Sequence, residues 1–204
     1  MRDYPLISII LPIRNEAKTI EACLDSILAQ DYPGEMEILI ADGSSVDPTC
    51  EIILKYQKLY PKIVMIDNPG KIVSTGLNAA LKFARGQIIL RVDGHTLIAP
   101  DYVSQCVETL ERTGADNVGG RMNAQGLGLF GETVAVATST PFGVGGSRFH
   151  YSEKEEWVDS VYMGAWRREV IENIGLFDEE LVRDQDDEFN YRLRENGGKI
   201  LLST

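Results

Sequence analysis

Three groups of residues in this 204-residue chain have the types and spacing that do chemistry. The first is Asp42, set directly after the apolar residues 38–41 and followed by the polar turn Gly43, Ser44, Ser45. In open α/β sheets ligands bind beyond the carboxyl ends of the strands, where a carboxylate can accept hydrogen bonds from a base N–H or a ribose hydroxyl. The same stretch also reads as an ordinary polar turn in which Asp47 and Pro48 open the next helix. The second group is Asp93, Gly94 and His95, an acid and an imidazole two residues apart behind another apolar run. The third gathers Asp184, Asp186, Asp187 and Glu188 within five residues, which suits a helix N-terminus, a catalytic edge, or both. Successive helical positions diverge by about 100°, so only one of Asp186 and Asp187 can face a given ligand.

The elements that must position these groups are visible in the hydropathy pattern. Residues 6–11, 36–41, 62–66 and 87–92 are short apolar runs of the kind that form strands buried on both faces. Between them apolar residues recur at helical spacing: Ile20, Cys23, Leu24, Ile27 and Leu28, then Ile52, Ile53, Tyr56 and Leu59, then Leu77, Ala80, Leu81 and Ala84. A fourth set is Tyr102, Val103, Cys106, Val107 and Leu110. Strands alternating with helices predict βαβ units, hence an α/β domain whose mostly parallel central sheet is flanked by helices. After about residue 114 the alternation breaks, and residues 121–160, rich in Gly, Thr and Ser, read as a long functional loop region. Beyond it a short strand, a helix over 167–173, an acidic helix over 184–195 and a closing strand are expected.

Composition narrows the partners. A chain with 44% hydrophobic and 25% charged residues can bury the core of one ordinary domain. A net charge of −11 argues against a nucleic-acid or anionic-membrane surface. Any phosphate-bearing substrate must therefore meet local cations, and a divalent metal is the simplest supply; Lys71, Arg91 and Arg148 are side-chain candidates. Cys23, Cys50 and Cys106 are odd in number and lie on helical stretches, which reads as three small core residues in a reducing compartment. Residues 1–5 run straight into a strand, and no stretch has the length of a membrane span or a signal segment, so the chain as given reads as soluble and cytoplasmic. The chain stops on a strand with nothing after it to close the domain, so a longer native protein is expected, whose remaining part could carry a membrane anchor. Neither a dinucleotide fingerprint nor a P-loop is present, because residues 12–16 form no glycine-rich turn and the Gly143 to Gly146 stretch lacks the required context.

The segments 8–16, 42–49, 76–80, 91–95 and 185–194 together resemble, in order and spacing, the motifs of family-2 glycosyltransferases with the GT-A fold, and look most like the succinoglycan-type exopolysaccharide glucosyltransferases. The resemblance runs over residues 6–202. It implies a single Rossmann-like catalytic domain over 1–204, with a nucleotide-sugar half over about 1–114 and an acceptor-binding and catalytic half over about 115–204. It also implies an inverting transfer from a UDP-sugar to a glycan or lipid-linked glycan at the inner face of a membrane, with no nucleic-acid partner.

By resemblance Asp42 and Ser44 meet the nucleotide, Pro12, Arg14 and Glu16 line the same pocket, and Asp186 is the catalytic base. Asp93 stands where the family's acid contacts ribose or metal, and His95 replaces the second acid of its Asp-x-Asp motif. Imidazole suits Mn²⁺ better than Mg²⁺, which leaves the metal open between the two. Gln185 stands where the family carries a glutamate, removing a charge beside Asp186. Arg192 is expected to pair with Glu188 four residues earlier. Among Phe142, Phe149, His150, Tyr151, Trp157 and Trp166, the residues His150 and Tyr151 are candidates for acceptor binding and Trp166 for core packing. Two rivals stand beside this reading. A nucleotidyltransferase would want a glycine-rich loop after the first strand, and an inactive transferase-like domain would bind a glycan or partner without turnover.

Overall fold

The computed structural model describes residues 4–126 and 128–204. Residues 1–3, which the sequence reading ran into the first strand, lie outside the described residues. Strand β1 (Ile7–Ile13) is buried along its whole length, as a run without polar alternation requires when both faces are covered. It pairs in parallel with β2 (Met36–Asp42) on one side and β4 (Ile88–Arg91) on the other, and β2 pairs in parallel with β3 (Ile63–Asp67). The helices between them are α1 (Ile20–Leu28), α2 (Thr49–Leu59) and α3 (Val73–Phe83), followed by α4 (Tyr102–Thr113). Period-two alternation along β1 sends Ile7, Ile9, Leu11 and Ile13 toward α1 and α4, and sends Ile10 toward α3. In α2 only Thr49 and Ile53 are buried, and the expected apolar residue Leu59 faces solvent.

The second half completes one eight-stranded sheet in the order β3-β2-β1-β4-β7-β5-β8-β6. Its members are β5 (Asn117–Gly120), β6 (Glu156–Val158), β7 (Ala165–Arg167) and β8 (Ile200–Ser203), with α7 (Arg168–Ile174) and α8 (Gln185–Glu195) on the α3 side. The pairs β4–β7, β5–β7 and β6–β8 are antiparallel, so the sheet is mostly but not wholly parallel. β5 and β6 were not expected: Asn-Val-Gly-Gly has too few β-branched side chains to read as a strand.

The stretch read as one irregular loop contains α5 (Gly128–Thr138), α6 (Pro141–Val144) and a 3₁₀ turn at Arg148–His150. No apolar stripe announces α5, because Val134 and Val136 both face solvent. Pro12 and Ile13 also belong to β1 rather than to the turn after it. Pairing of β1 with β4 ends at Ile10 opposite Arg91, so Pro12 interrupts no ladder to β4. The cleft opens where these two strands part.

Candidate active site

The loops leaving β1, β2, β3 and β4 converge at one end of the sheet. A cleft of about 180 Å³ there is lined by Pro12, Arg14, Glu16, Asn68, Lys71, Ile72, Val73, Arg91, Asp93 and His95. Five non-glycine residues among those described adopt a left-handed backbone: Asn15, Ser44, Lys71, Met163 and Asp184. Each sits in a loop of this region, beside Arg14, Asp42, Asn68, Asp93 or Asp186 respectively. Such conformations persist where the surroundings hold them, and they concentrate at functional sites.

Two turns form the first wall. Asn15 N–H donates to Ser45 Oγ at 2.8 Å, and Val46 N–H donates to Asn15 Oδ1 at 2.9 Å. Glu16 N–H donates to Thr49 Oγ1 and Ala17 N–H to Asp47 Oδ2. The β1 and β2 turns are thereby sewn together by side-chain acceptors. Asp42 ends β2 with its carboxylate turned into its own turn, accepting from Ser45 N–H at 3.0 Å, from the Ser45 hydroxyl and from the Cys50 thiol at 3.3 Å. Cys50 is thus no plain core residue, unlike buried Cys23 and Cys106; burial and the Asp42 carboxylate push its thiol up to about 11. The Ser44 side chain is exposed, and Ser45 makes the bonds in its place.

The second wall centres on Arg91, whose side chain is only 4% exposed. Its Nε and Nη2 both donate to Asp93 Oδ1 at 2.9 Å, and its Nη1 donates to Asp186 Oδ1. One guanidinium therefore holds the acid of the β4 loop and the acid of the α8 first turn together, a geometry that lysine could not reproduce. Arg91 was one of three candidate diphosphate contacts; in this structure its three nitrogens are taken up by the two acids. Arg148 likewise pairs with Glu156 at 2.6 Å. Arg14 and Lys71 remain as exposed cations at the cleft, neither in an ion pair with the described residues. Burial, with help from Asp93 and Asp187 and against Arg91, pushes Asp186 up to about 6. Its side chain keeps 24% exposure, so a proton acceptor poised near neutrality has an open edge.

Asp186 and Asp187 diverge as helical geometry requires, Asp187 accepting from Ser160 Oγ instead. The expected Arg192 to Glu188 pair is present. Asp93 Oδ2 accepts from the Tyr162 hydroxyl at 3.1 Å. Tyr162 was missed in the sequence, since only the fold brings it beside a residue 69 positions away. Asn68 was missed too: it is buried at the cleft, where its side chain ties Ile72 O to the Thr75 hydroxyl and so shapes the Lys71 turn.

The ring of Phe149 stacks on Tyr162 at 6.3 Å, which brings the 3₁₀ turn of His150 next to the Asp93 side of the cleft. His150 Nδ1 is buried without a hydrogen-bond partner, and burial lowers its pKa. Tyr151 donates to Gly145 O at 3.2 Å. Trp166 lies in the core against Phe177 and Phe189, as expected. Trp157, on the edge strand β6, faces solvent.

Among the described residues no three His, Cys, Asp or Glu side chains gather into a metal cage. The donor set still fits a cation that shares its coordination with substrate phosphates, which asks only one or two protein ligands. His95 Nδ1 lies 3.0 Å from Glu16 Oε1 and its ring is 58% exposed, leaving Nε2 without a protein partner. A carboxylate on one ring nitrogen with the other free is the usual arrangement of a ligating histidine.

In this α/β sheet acids, cations and left-handed loops crowd at the carboxyl ends of the strands, where open α/β sheets bind their ligands. The chain matches the family described as Glycosyl transferase family 2 over residues 8–175 and belongs to it. It is 31% identical over 197 residues to the succinoglycan biosynthesis protein ExoA of Rhizobium meliloti, covering 96% of this chain and 60% of that protein. It is 34% identical over 203 residues to the dolichyl N-acetyl-alpha-D-glucosaminyl phosphate 3-beta-D-2,3-diacetamido-2,3-dideoxy-beta-D-glucuronosyltransferase of Methanococcus voltae, covering 95% of this chain and 63% of that protein. The chain thus spans roughly three fifths of these relatives. Among solved structures it resembles the mannosyltransferase PcManGT of Pyrobaculum calidifontis, described in complex with GDP-Man and Mn²⁺, with a TM-score of 0.74 and 21% identity over 98% of this chain and 57% of that one. S. aureus TarS 1–349 has a TM-score of 0.70 and 21% identity over 97% of this chain and 57% of that one. These neighbours establish the GT-A fold. Among the described residues no helix is long and apolar enough to cross a membrane.

Proposed function

We propose that the protein transfers a hexose, glucose by preference, from a UDP-sugar to a hydroxyl of a glycan or lipid-linked glycan in extracellular or cell-surface polysaccharide synthesis. The observation that supports this reading is the single guanidinium of Arg91 between Asp93, which lines the cleft, and Asp186. Residues 1–114 form the donor half, with Pro12, Arg14, Glu16, Asp42, Ser44 and Asp93 around the nucleotide. Residues 115–204 form the acceptor and catalytic half, in which His150 and Tyr151 face the acceptor. The work is done on the cytoplasmic side, at the inner face of a membrane.

Arg14 and Lys71 bind the diphosphate. Asp93 and His95 hold a divalent cation, Mn²⁺ or Mg²⁺, with Glu16 orienting the imidazole. When bound, that ion supplies charge neutralisation for the departing diphosphate. Asp186 takes the proton of the acceptor hydroxyl as its oxygen attacks the anomeric carbon from the face opposite UDP, so configuration inverts. Removal of the proton at that stage contributes about 10²–10⁴-fold. Asp93 and Asp186 are both already engaged by Arg91, and this favours one alternative, a transferase-like domain that binds glycan or partner without turnover.

Calorimetric titration of UDP with and without Mn²⁺, on the wild type and on Asp93→Ala and His95→Ala, tests the proposal. Binding that requires the metal and both side chains is expected. No UDP binding under any condition would overturn the transferase reading in favour of the alternative.

A further inference from the structure

Helix α8 is fastened on its polar side by a chain of hydrogen bonds that starts in the core at Asn117 and Asn190 and ends at the surface on Asp187. Asn117 on β5 donates from Nδ2 to Asn190 Oδ1 at 2.7 Å, and Asn190 donates from Nδ2 to Ser160 Oγ at 3.0 Å. The Ser160 hydroxyl then donates to Asp187 Oδ1 at 2.7 Å. Asn117 and Asn190 are almost fully buried, at 0% and 2% exposure. Every donor in the chain points the same way and the last acceptor is a carboxylate, so each bond polarises the next and the terminal one is charge-assisted.

The apolar face of α8 is satisfied without these residues. Phe189 and Leu193, one turn apart, bury the helix against Trp166 and Phe177. An apolar stripe is non-directional and tolerates a small rotation about the helix axis. The amide at 190 is directional where the stripe is not, because the buried Asn117 Nδ2 donates to its Oδ1 and would be left unpaired without it. Asp187 and Asn190 are three residues apart and so share a face, and Ser160 bridges the two. Pinning that face fixes the rotation of the first turn, which turns Asp186 about 100° away from it and onto Arg91.

We propose that Asn117, Asn190, Ser160 and Asp187 form a positioning relay that aims Asp186 at the reacting hydroxyl. Asp187 is in this scheme a positioning residue and not a second base. The inference rests on the reading of Asp186 as the base, and the test separates the two.

The intact protein is assayed as UDP release from UDP-glucose for Ser160→Ala, Ser160→Thr, Asp187→Asn and Asp186→Asn, beside a crystal structure of Ser160→Ala. Ser160 is only half-buried, so its alanine variant is expected to fold with a near-native melting temperature. Ser160→Ala should lower kcat about tenfold through a small misplacement of the base, with donor KM unchanged. Ser160→Thr, which keeps the hydroxyl, should restore kcat. The double variant Ser160→Ala/Asp187→Asn should be no slower than the slower single variant, since both cut one path. In the crystal, Asp186 should leave Arg91. Wild-type kcat in Ser160→Ala beside a dead Asp186→Asn would overturn the relay and leave the base assignment standing, as would equal losses in the alanine and threonine variants. Full turnover in Asp186→Asn would remove the base assignment and the relay with it.

Discussion

Arg91 reaches Asp186 across 95 residues of sequence while its other nitrogens hold Asp93, so β4 and α8 meet through one buried guanidinium. Removing it would strand two carboxylates in a confined space. Arg91→Met should lower unfolding free energy by about 3 kcal/mol, the usual scale for breaking a buried pair from one side. Urea denaturation would measure it. Arg91→Lys should recover only part of the loss, because a point charge cannot serve both acids in fork geometry.

Asp186→Asn keeps the size of the side chain and removes its basicity. Turnover of UDP-glucose should fall by about 10²–10⁴-fold, with UDP affinity unchanged by calorimetry. An equal loss of UDP affinity would place Asp186 in donor binding instead.

A Cβ added at Gly94 would lie 2.8 Å from Ile13 Cγ2 and 3.1 Å from Glu16 Cγ. Gly94→Ala should therefore push Glu16 away from His95, and metal-supported UDP binding should weaken several-fold while the melting temperature moves by only a few degrees. Titration with Mn²⁺ and UDP on the variant decides it. Unchanged affinity would mean that the Glu16 contact with His95 has no part in donor binding.

Glu37 provides a pH probe far from the cleft. Burial pushes its pKa up, but hydrogen bonds from Ser8 and Arg85 and the Arg85 charge outweigh burial and hold it below the ordinary value of 4.5. A carboxylate lowered in the folded state stabilises the fold above its unfolded pKa, and that stabilisation is lost as pH falls through the folded value. Glu37→Gln should therefore be less stable than the wild type at pH 7. The gap should narrow as the pH drops below about 4.5, in urea melts at successive pH values. A gap that stays constant with pH would assign Glu37 a neutral hydrogen-bonding role.

Asn78 clamps Phe177 by both backbone groups, accepting its N–H at 3.0 Å and donating to its C=O at 2.8 Å. Asn78→Ala would leave both groups buried and unpaired, a loss of about 1–3 kcal/mol. A thermal melt within a degree of the wild type would show that water takes over the two bonds.

The first four strands and helices could be read from the sequence because they are long, periodic and buried on predictable faces, as with Ile7 to Ile13 and the stripe Ile20, Cys23, Leu24 and Ile27. The later half could not. β5 is two glycines, a valine and an asparagine that become a strand only between β7 and β8, and the valines of α5 face solvent. The candidate site divided along the same line. Asp93 and Asp186 stand in ordered motifs and so drew notice as candidates, whereas Tyr162 reaches its partner across the fold and Asn68 ties its own turn, and neither carries a local signal. Arg91 was noticed for its charge without its carboxylate partners, because a guanidinium in sequence does not reveal which acids the fold will bring to it.

The left-handed residues Asn15, Ser44, Lys71, Met163 and Asp184 each carry a conformational penalty of about 1–2 kcal/mol. All of it falls at the open end of the sheet. The opposite end, where Ser8, Glu37, Arg85 and Gly86 interlock, carries none among the described residues. The molecule therefore has a built-in gradient of local stability, and hydrogen exchange should advance from the cleft rim inward. Lineages adapting to heat would have room to reinforce the closed end freely, while every gain at the rim would be traded against the geometry that meets the substrate.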